Sequence, residues 1–284
     1  MIAISGATGQ LGRKVIHQLL KENTAGDIIA LVRQPSVAAE KLPREVTLRE
    51  ADYNRPETLL PALQGVEKLL LISSSEVGQR EAQHAAVIEA AVKAGVKFIA
   101  YTSLLHADTS PLGLAAEHRA TEARLADSGI GYALLRNGWY TENYAASIAP
   151  ALTHHAFIGA AGDGKIASAS RQDYAEAAVR VITADDQAGK IYELAGDSAY
   201  TLAQFSAEIT RQTGEKVDYV NLSPTAFADA LKQAGLPSPL AEMLADSDAG
   251  AAAGGLYDSG KTLSHLIGRP TTPFAHTITE SLTV

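Results

Sequence analysis

Three glycines near the start of the chain have the residue type and spacing of a nucleotide-binding turn. Gly6, Gly9 and Gly12 follow the apolar stretch Ile2–Ser5 at regular intervals, and apolar residues then recur with helical periodicity as far as Lys21. Glycine permits a tight turn and close approach of the backbone to a phosphate, and the first turn of a helix offers free N–H groups to an anion. The pattern predicts a dinucleotide pyrophosphate site, with a purely structural turn as the alternative. The predicted binding residues are Gly6, Ala7, Thr8, Gly9, Gln10, Leu11 and Gly12.

The residues that end the next predicted strands indicate which dinucleotide would bind. Arg33 ends the second strand, and a cation at this place suits the 2′-phosphate of NADPH, whereas NAD sites carry an acidic residue. The alternative for Arg33 is a solvated strand-end arginine. Asp52 follows the third strand and either reaches the adenine amino group or stabilises a turn. Ser73, Ser74 and Ser75 follow the fourth strand and either line the cofactor or form an ordinary polar turn.

A polar and aromatic segment follows the sixth predicted strand. Gly138 permits close backbone approach to a ligand, and Trp139, the only tryptophan, offers a flat apolar wall with Tyr140. Asn137 and Asn143 either hydrogen-bond a ligand or cap local structure, and the aromatic rings either face a ligand or pack in the core. The predicted binding residues here are Asn137, Gly138, Trp139, Tyr140, Thr141 and Glu142.

Strand-like and helix-like stretches alternate over the first half of the chain, and several of the strands are apolar almost throughout. This alternation predicts an α/β fold, a doubly wound parallel Rossmann sheet with a smaller C-terminal α/β lobe. We expect an NADP-binding domain over 1–150, with later crossings of the chain back into it, and a mainly substrate-side lobe over 151–284. The predicted strands are Ile2–Ser5, Asp27–Arg33, Glu45–Glu50, Val66–Ile72, Val96–Thr102 and Ile130–Arg136, and the helices lie near Pro56–Leu63, Gln79–Ala94 and Leu112–Ser128.

Strand-like and helix-like stretches do not alternate regularly in the second half of the chain. Thr201 and Ser223 precede helical stretches and have the residue type of N-caps. The run Ala249–Gly255 predicts a mobile turn between helices. Short strands are predicted near Phe157–Ile158 and Ile191–Leu194, and helices near Gln172–Thr183, Leu202–Thr213, Thr225–Ala234, Pro239–Asp248 and Ser259–Ile267.

Composition excludes several classes of function. The 284 residues carry a net charge of -8 without any basic block, which argues against nucleic acid and anionic membrane as partners. No cysteine is present, so disulfides, thiolate metal sites and a cysteine nucleophile are excluded. His154 and His155 are adjacent and lack a carboxylate neighbour, so we expect no metal site. Apolar runs are too short to span a bilayer, no export signal is evident, and a cytoplasmic protein is the expectation.

Several motifs together resemble a known family. The opening GATGQLG, the strand-end Arg33, the SSS turn, YTSLL, LRNGWYTEN, GAAGDGKIAS and YELAGDSAYTL resemble the atypical, NmrA-like branch of the short-chain dehydrogenase/reductase superfamily. Within that branch they are most similar to bacterial NADPH:quinone oxidoreductases, and the resemblance covers essentially the whole chain. It implies NADPH as cofactor, a nicotinamide bordered by residues 137–142, and a cofactor contact from Arg171, for which a plain helix-start residue is the alternative.

The proton relay of the superfamily, a tyrosine, a lysine and a helical glutamate, is incomplete in this chain. If Glu122 matches the glutamate, His118 stands at the lysine position and Leu114 at the tyrosine position, while Ser103 keeps the place of the strand-end serine. Ketone reduction needs a well-placed acid. A quinone is already a strong electrophile and mainly needs orientation beside the nicotinamide. The resemblance and the missing relay therefore predict direct hydride transfer from NADPH to a quinone, without flavin.

No catalytic residue is certain at this level. Asn143 and His118 are the candidates, with a surface-helix histidine as the alternative for His118, and His106 lies in the loop after the fifth strand. A competing hypothesis is an NADP(H)-binding redox sensor of the NmrA type that lacks turnover. A reductase of conjugated double bonds is less favoured, because Glu117-His118-Arg119 lacks the lysine that this subgroup usually carries. A homodimer is possible, and the sequence does not identify the physiological quinone.

Overall fold

The computed structural model describes residues 1–22 and 28–283. The chain divides into two compact units, each assembled from three separate stretches. The first unit comprises Met1–Leu104, Ala116–Arg136 and Arg171–Tyr192, and the second comprises Leu105–Ala115, Asn137–Ser170 and Glu193–Val284.

Nine strands form two sheets in the described part of the chain. Seven of them pair in the order β3-β2-β1-β4-β5-β6-β8, and β7 pairs in parallel with β9. In the larger sheet the pairs β1–β2, β1–β4, β2–β3 and β4–β5 are parallel. The prediction of a doubly wound α/β sheet is confirmed. The strands are β1 (Ile2–Ile4), β2 (Ile28–Val32), β3 (Thr47–Glu50), β4 (Lys68–Leu71), β5 (Phe98–Leu104), β6 (Gly131–Asn137), β7 (Ala156–Gly159), β8 (Ile191–Leu194) and β9 (Asp218–Asn221).

The helices connect these strands, and a 3-10 turn at Pro56–Thr58 precedes α3. The α-helices of the described residues are α1 (Gln10–Lys21), α2 (Pro35–Ala38), α3 (Leu59–Ala62), α4 (Arg80–Ala94), α5 (Ala115–Asp127), α6 (Thr141–Ala145), α7 (Ile148–His154), α8 (Arg171–Thr183), α9 (Leu202–Thr213), α10 (Pro224–Gln233), α11 (Ser238–Ala252), α12 (Thr262–Ile267) and α13 (Phe274–Leu282).

The central strands explain why the first unit is stable. Every residue of β2 and of β5 is buried, as expected for strands that are covered by helices on both faces. Leu69, Leu71 and Ile99 of the sheet pack in one cluster with Val87 and Ile88 of α4. This packing therefore fixes the positions of the strand ends and of the turns that follow them.

Both predicted N-caps are confirmed. The Thr201 side chain accepts a hydrogen bond from the Gln204 N–H, and the Gln204 side chain accepts one from the Thr201 N–H, which is a capping box. The Ser223 side chain accepts from the Ala226 N–H, and Pro224 occupies the first turn of α10. Residues whose side chains satisfy the first N–H groups of a helix are thus readable from the sequence.

Other local predictions need correction. The run Ala249–Gly255 is not simply a turn, because α11 continues to Ala252; Gly250 lies so close to Leu112 that a Cβ at Gly250 would stand 2.7 Å from Leu112 Cγ. The first helix begins at Gln10, inside the glycine turn. The short elements α2, α6, α7, β9 and α13 were not predicted. Asp27, the predicted first residue of the second strand, lies outside the described residues.

Candidate functional site

The glycine turn has the geometry of an anion site. Gly6 adopts a positive φ of 57°, and its carbonyl accepts a hydrogen bond of 2.9 Å from the Gly9 N–H. Gly9 is the N-cap of α1, provides no side-chain cap, and is followed by a first turn without acidic residues. The N–H groups of that turn have no acceptor within the helix, and the positive end of the helix dipole favours a phosphate.

Gly12 allows α1 to lie close to the turn. A Cβ at Gly12 would stand 2.8 Å from the Ala7 Cα and would clash with the Gly6 carbonyl oxygen. Both obstacles are backbone atoms, so neither moves away easily. The first turn of α1 is thus packed directly against the predicted pyrophosphate-binding loop, which also contains Thr8 and Leu11.

Arg33 directly follows β2, and its side chain is 72% exposed. Its Nη1 lies 3.7 Å from Oε1 of Glu76, an exposed ion pair of little energetic weight. The Arg33 guanidinium is therefore accessible to the phosphate group of a ligand. Oδ1 of Asp52 accepts a hydrogen bond of 3.0 Å from the Asn54 N–H, so this side chain stabilises the turn after β3.

The Ser73–Ser75 turn is fixed by hydrogen bonds to its backbone. The Ser73 N–H donates to Oγ1 of Thr102 at 2.8 Å, and the Ser74 N–H donates to Nε2 of His84 at 3.0 Å. On the other side of the same residue, Nε of Arg80 donates to the Ser74 carbonyl at 2.5 Å. The turn that follows β4 is thus held in one conformation by side chains of β5 and α4.

His84 is the residue of this network that sequence reasoning missed. Its Nδ1 lies 2.9 Å from Oγ1 of Thr121, whose hydroxyl donates to the Glu117 carbonyl. The Thr121 hydroxyl hydrogen points to the Glu117 carbonyl, so the hydroxyl oxygen is the acceptor for Nδ1. Since Nε2 accepts from the Ser74 N–H, the neutral ring carries its proton on Nδ1. Burial, with the positive Arg80 nearby, lowers the pKa of His84 to about 4. No local motif marks a helical histidine as the partner of a turn ten residues earlier.

His118, a catalytic candidate from the sequence, lies in the interior of the first unit. Its side chain is buried, and its Nδ1 is 2.7 Å from the hydroxyl of Tyr101. Burial lowers the pKa of His118 to about 3, with Arg80 and His84 adding to the effect. The alternative of a surface-helix histidine is wrong, because α5 packs this side chain inward against β5.

Ser103 and Glu122, which occupy relay positions of the superfamily, are bound to each other. The Ser103 hydroxyl donates to Oε1 of Glu122 at 2.5 Å. Arg136 donates to the same carboxylate from Nε at 3.1 Å and from Nη2 at 2.8 Å. All three side chains are buried or nearly so, and Leu114 stands at the tyrosine position. The three side chains are joined by charge-assisted hydrogen bonds, as in a structural ion pair.

In the second unit, the backbone of the segment after β6 is fixed. Gly138 donates to the Leu194 carbonyl at 2.8 Å, and the Thr141 N–H donates to the Ala169 carbonyl at 3.0 Å. Asn137 is 4% exposed, and within the described chain its Oδ1 has no hydrogen-bond partner. A buried unpaired amide oxygen is costly, so this atom favours a hydrogen-bond donor beside it.

A small cleft with a free volume of about 40 Å³ lies within the second unit. Its lining comes from five separate elements: the segment after β6 with α6, the turn before α7, β7, α10 and α11. This is why no local pattern predicted it. The lining residues are Trp139, Asn143, Tyr144, Ser147, Phe157, Ile158, Phe227, Leu231, Leu244 and Asp248. The cleft therefore brings together two predicted residues, Trp139 and the catalytic candidate Asn143.

The remaining candidates lie on different elements. Tyr140 is the N-cap of α6, and Glu142 lies in the first turn of that helix. Arg171 is the first residue of α8, in the first unit. His106 adopts a positive φ of 50°, and its Nε2 lies 3.0 Å from Oδ2 of Asp258. In the described ranges 1–22 and 28–283, no group of three or more histidine, aspartate or glutamate side chains is placed to hold a metal ion.

Comparison with known proteins agrees with this geometry. Residues 6–185 match a family described as NAD(P)H-binding, and a 282-residue alignment gives 30% identity to an NmrA-like family domain-containing oxidoreductase of Aspergillus flavus, covering 95% of this chain and 91% of that protein. The chain belongs to the NAD(P)H-binding, NmrA-like family. The family resemblance predicted from the sequence is confirmed.

The similarity to a quinone oxidoreductase of Escherichia coli is higher, both in sequence and in structure. The chain is 63% identical over 284 residues to Quinone oxidoreductase 2 of Escherichia coli (strain K12), covering 100% of this chain and 99% of that protein. The crystal structure of an NADPH-dependent quinone oxidoreductase from Escherichia coli, complexed with NADPH, has a TM-score of 0.96 at 63% identity and covers 99% of this chain and 100% of that one.

Within the part of the chain that the structure describes, no helix has the length and apolar character needed to cross a membrane.

Proposed function

We propose that this NmrA-like protein is an NADPH-dependent quinone reductase that passes a hydride directly to the quinone, giving the hydroquinone, without flavin. The observation that carries the proposal is the 63% identity along the entire chain to Quinone oxidoreductase 2 of Escherichia coli. Fold likeness alone would not carry it, since one fold serves many reactions.

The residues of the first unit fit NADPH. The cap-free start of α1, with Gly12 packed against Ala7, suits the pyrophosphate, and the exposed Arg33 suits the 2′-phosphate. Ser73, Ser74 and Ser75 would line the cofactor from a fixed turn. Residues 137–142 and Arg171 complete the proposed binding set. Bound NADPH supplies the hydride for the reduction.

Asn137 gives the second unit a role in orientation. Its buried, unpartnered Oδ1 is an acceptor, so it suits an N–H donor such as a carboxamide and does not suit a quinone oxygen. If the carboxamide of the nicotinamide is held at this atom, it would fix which face of the nicotinamide ring is turned toward the quinone. Orientation is the main contribution that a protein makes to this kind of reaction.

The protein does not need a tyrosine–lysine relay for a quinone. The groups at the relay positions are occupied: Ser103 donates to Glu122, and Nδ1 of His118 is hydrogen-bonded to the Tyr101 hydroxyl. A reduced quinone is a delocalised anion that water protonates readily, whereas an alkoxide from a simple ketone requires a placed acid. These contacts therefore favour quinones over simple ketones as acceptors.

Stopped-flow absorbance of NADPH after addition of a benzoquinone tests the proposal. A quinone reductase consumes NADPH in this experiment. Tight binding of NADPH without consumption would instead support the redox-sensor alternative. A simple ketone serves as the control acceptor and should leave the NADPH signal unchanged.

A cytoplasmic location and a homodimer belong to the same proposal. Light scattering of the protein as it elutes from a gel-filtration column distinguishes a monomer of 29.8 kDa from a dimer. Fractionation of cells separates a cytoplasmic protein from an exported one.

A further inference from the structure

A carboxylate stands beside the cation that the proposed function assigns to the 2′-phosphate. Glu76 lies in the segment between β4 and α4, and its Oε1 is 3.7 Å from Nη1 of Arg33. This distance is longer than a hydrogen bond and joins one atom of each group, so the contact does not orient the guanidinium. What Glu76 contributes at this place is therefore a negative charge and a hydrogen-bond acceptor.

Glu76 is held in this position by groups other than Arg33. Its Oε2 accepts a hydrogen bond of 2.8 Å from Nε2 of Gln83, and the same amide donates its second hydrogen to Oδ1 of Asn54 at 3.1 Å. Gln83 is 3% exposed and lies on α4, so the packing of that helix fixes the donor. The carboxylate consequently stays near Arg33 although the exposed ion pair itself is weak.

The backbone of Glu76 is fixed as well, to the serine turn that follows β4. Its N–H donates to Oγ of Ser74 at 3.2 Å, and its carbonyl accepts a hydrogen bond of 3.0 Å from the Gln79 N–H. Arg33 and Glu76 follow β2 and β4, which pair in parallel with β1 on its two sides. Both residues therefore belong to the edge of the sheet at which the glycine turn follows β1.

The two side chains favour opposite cofactors. A cation suits the 2′-phosphate of NADPH, whereas a carboxylate in a dinucleotide site accepts from the ribose hydroxyl of NAD. A phosphate that reaches Arg33 comes close to the Glu76 carboxylate, and like charges a few ångströms apart repel each other even in water. A ribose without this phosphate presents a hydroxyl donor, which a carboxylate accepts.

We propose that Glu76, held in place by Gln83, determines how far the site prefers NADPH over NADH, because it opposes the 2′-phosphate at Arg33 and accepts from the ribose hydroxyl when that phosphate is missing. The inference rests on the proposed function for the identity of the cofactor and deepens it. The preference becomes a balance between a cation and a carboxylate that different loops supply.

NADP⁺ and NAD⁺ differ only in the 2′-phosphate and test this balance without turnover. Isothermal titration calorimetry gives Kd for each with the wild-type protein and with Glu76→Gln, which keeps the size of the side chain and removes its charge. We expect Glu76→Gln to bind NADP⁺ about three- to tenfold more tightly and NAD⁺ about twofold more weakly, since a neutral acceptor replaces a charged one. The gain for NADP⁺ should shrink at roughly 0.5 M salt, because salt screens exposed charges.

Two further variants make the test specific. Glu81→Gln removes the same charge at an exposed position in the first turn of α4 and should leave both Kd values near those of the wild type. Gln83→Met keeps the volume of the side chain but releases the Glu76 carboxylate. It should tighten NADP⁺ binding by a smaller factor than Glu76→Gln does.

The inference is overturned if Glu76→Gln leaves the ratio of the two Kd values unchanged. It is also overturned if Glu76→Gln weakens NADP⁺ binding, because Glu76 would then position Arg33 for the phosphate. An equal response of Glu81→Gln would show an effect of net charge alone, and wild-type NADP⁺ affinity in a folded Gln83→Met variant would contradict the role given to Gln83.

Turnover separates this inference from the proposed function. If NADPH reduces a benzoquinone but the ratio of Kd values does not depend on Glu76, the specificity inference is wrong and the quinone reductase stands. If the ratio responds as expected and no quinone is reduced, the proposed function is wrong and Glu76 stands as a determinant of cofactor choice.

Discussion

The backbone N–H of Ser74 donates to Nε2 of His84 at 3.0 Å, and this bond joins the turn after β4 to the interior of the first unit. Nδ1 of His84 is paired with Thr121 on α5. The ring thus bridges a loop that we assign to cofactor binding and a helix on the far side of the imidazole. A protonated ring would place an N–H against the Ser74 N–H and break the bridge.

Replacing His84 should therefore loosen the Ser73–Ser75 turn. His84→Ala leaves the Ser74 N–H unpaired and opens a cavity, so we expect a loss of roughly 2–4 kcal/mol in the free energy of unfolding and weaker NADPH binding. His84→Gln, whose amide oxygen is an acceptor at similar reach, should recover part of both. Urea unfolding and titration with NADPH measure the two effects; an alanine variant with unchanged values in both would contradict the assigned role.

The two buried histidines predict sensitivity to acid. The folded pKa values of His84 and His118 are about 4 and about 3, below the unfolded value of about 6.5. As pH falls, the two histidines are protonated in the unfolded chain before they are protonated in the folded protein. Their contribution to the free energy of unfolding is therefore complete above about pH 6.5 and is lost as pH falls toward the folded-state pKa values. Asp248, whose pKa is raised to about 6, acts in the opposite direction.

The measurement is the free energy of unfolding between neutral pH and pH 4. We expect a fall of up to roughly 3 kcal/mol for each of the two histidines, partly offset by Asp248. His84→Gln should flatten the curve, while His17→Gln, at an exposed position of α1, should not. A curve that is equally steep in both variants would show that His84 does not cause the acid sensitivity.

Arg33 should decide the choice between NADPH and NADH. A guanidinium–phosphate contact contributes roughly 1.5–3 kcal/mol, so Arg33→Ala should lower the preference for NADPH by about ten- to a hundredfold. Lys93→Ala removes a positive charge from an exposed position near the end of α4 and is the matched control. The ratio of kcat/KM for the two cofactors is the measurement, and an unchanged ratio in Arg33→Ala contradicts the assignment.

The Ser103–Glu122–Arg136 cluster should matter for stability and little for chemistry. Glu122→Gln removes the carboxylate charge that pairs with the buried Arg136 guanidinium in this cluster, which we expect to cost roughly 3–5 kcal/mol. Ser103→Ala removes one hydrogen bond to a carboxylate, at roughly 1.5–3 kcal/mol, and should keep most of the quinone turnover when assayed well below its unfolding temperature. Loss of turnover in a folded Ser103→Ala variant would point to a proton relay.

Features that depend on local pattern were readable from the sequence. The glycine turn, the order of strands and helices in the first half, and the caps at Thr201 and Ser223 follow from the residues at neighbouring positions. Short elements such as β9 and α2 were missed because four-residue segments carry little periodicity.

Features that join distant parts of the chain were not readable. The bond between Ser74 and His84, the pairing of His118 with Tyr101, and the place of Asp248 in a cleft beside Trp139 are set by tertiary packing. The sequence identified His118 and Trp139 by type and proposed a ligand-facing role for Trp139, but it did not predict that the His118 side chain is enclosed in the interior.

Direct reduction is tested most directly by product stoichiometry in protein freed of flavin. Under anaerobic conditions, NADPH and a neutral benzoquinone are mixed with the protein, and both NADPH loss and hydroquinone formation are followed. We expect one hydroquinone to form for each NADPH consumed, with no added flavin. Turnover that appears only after flavin is supplied, or NADPH that stays bound and unoxidised, would contradict it.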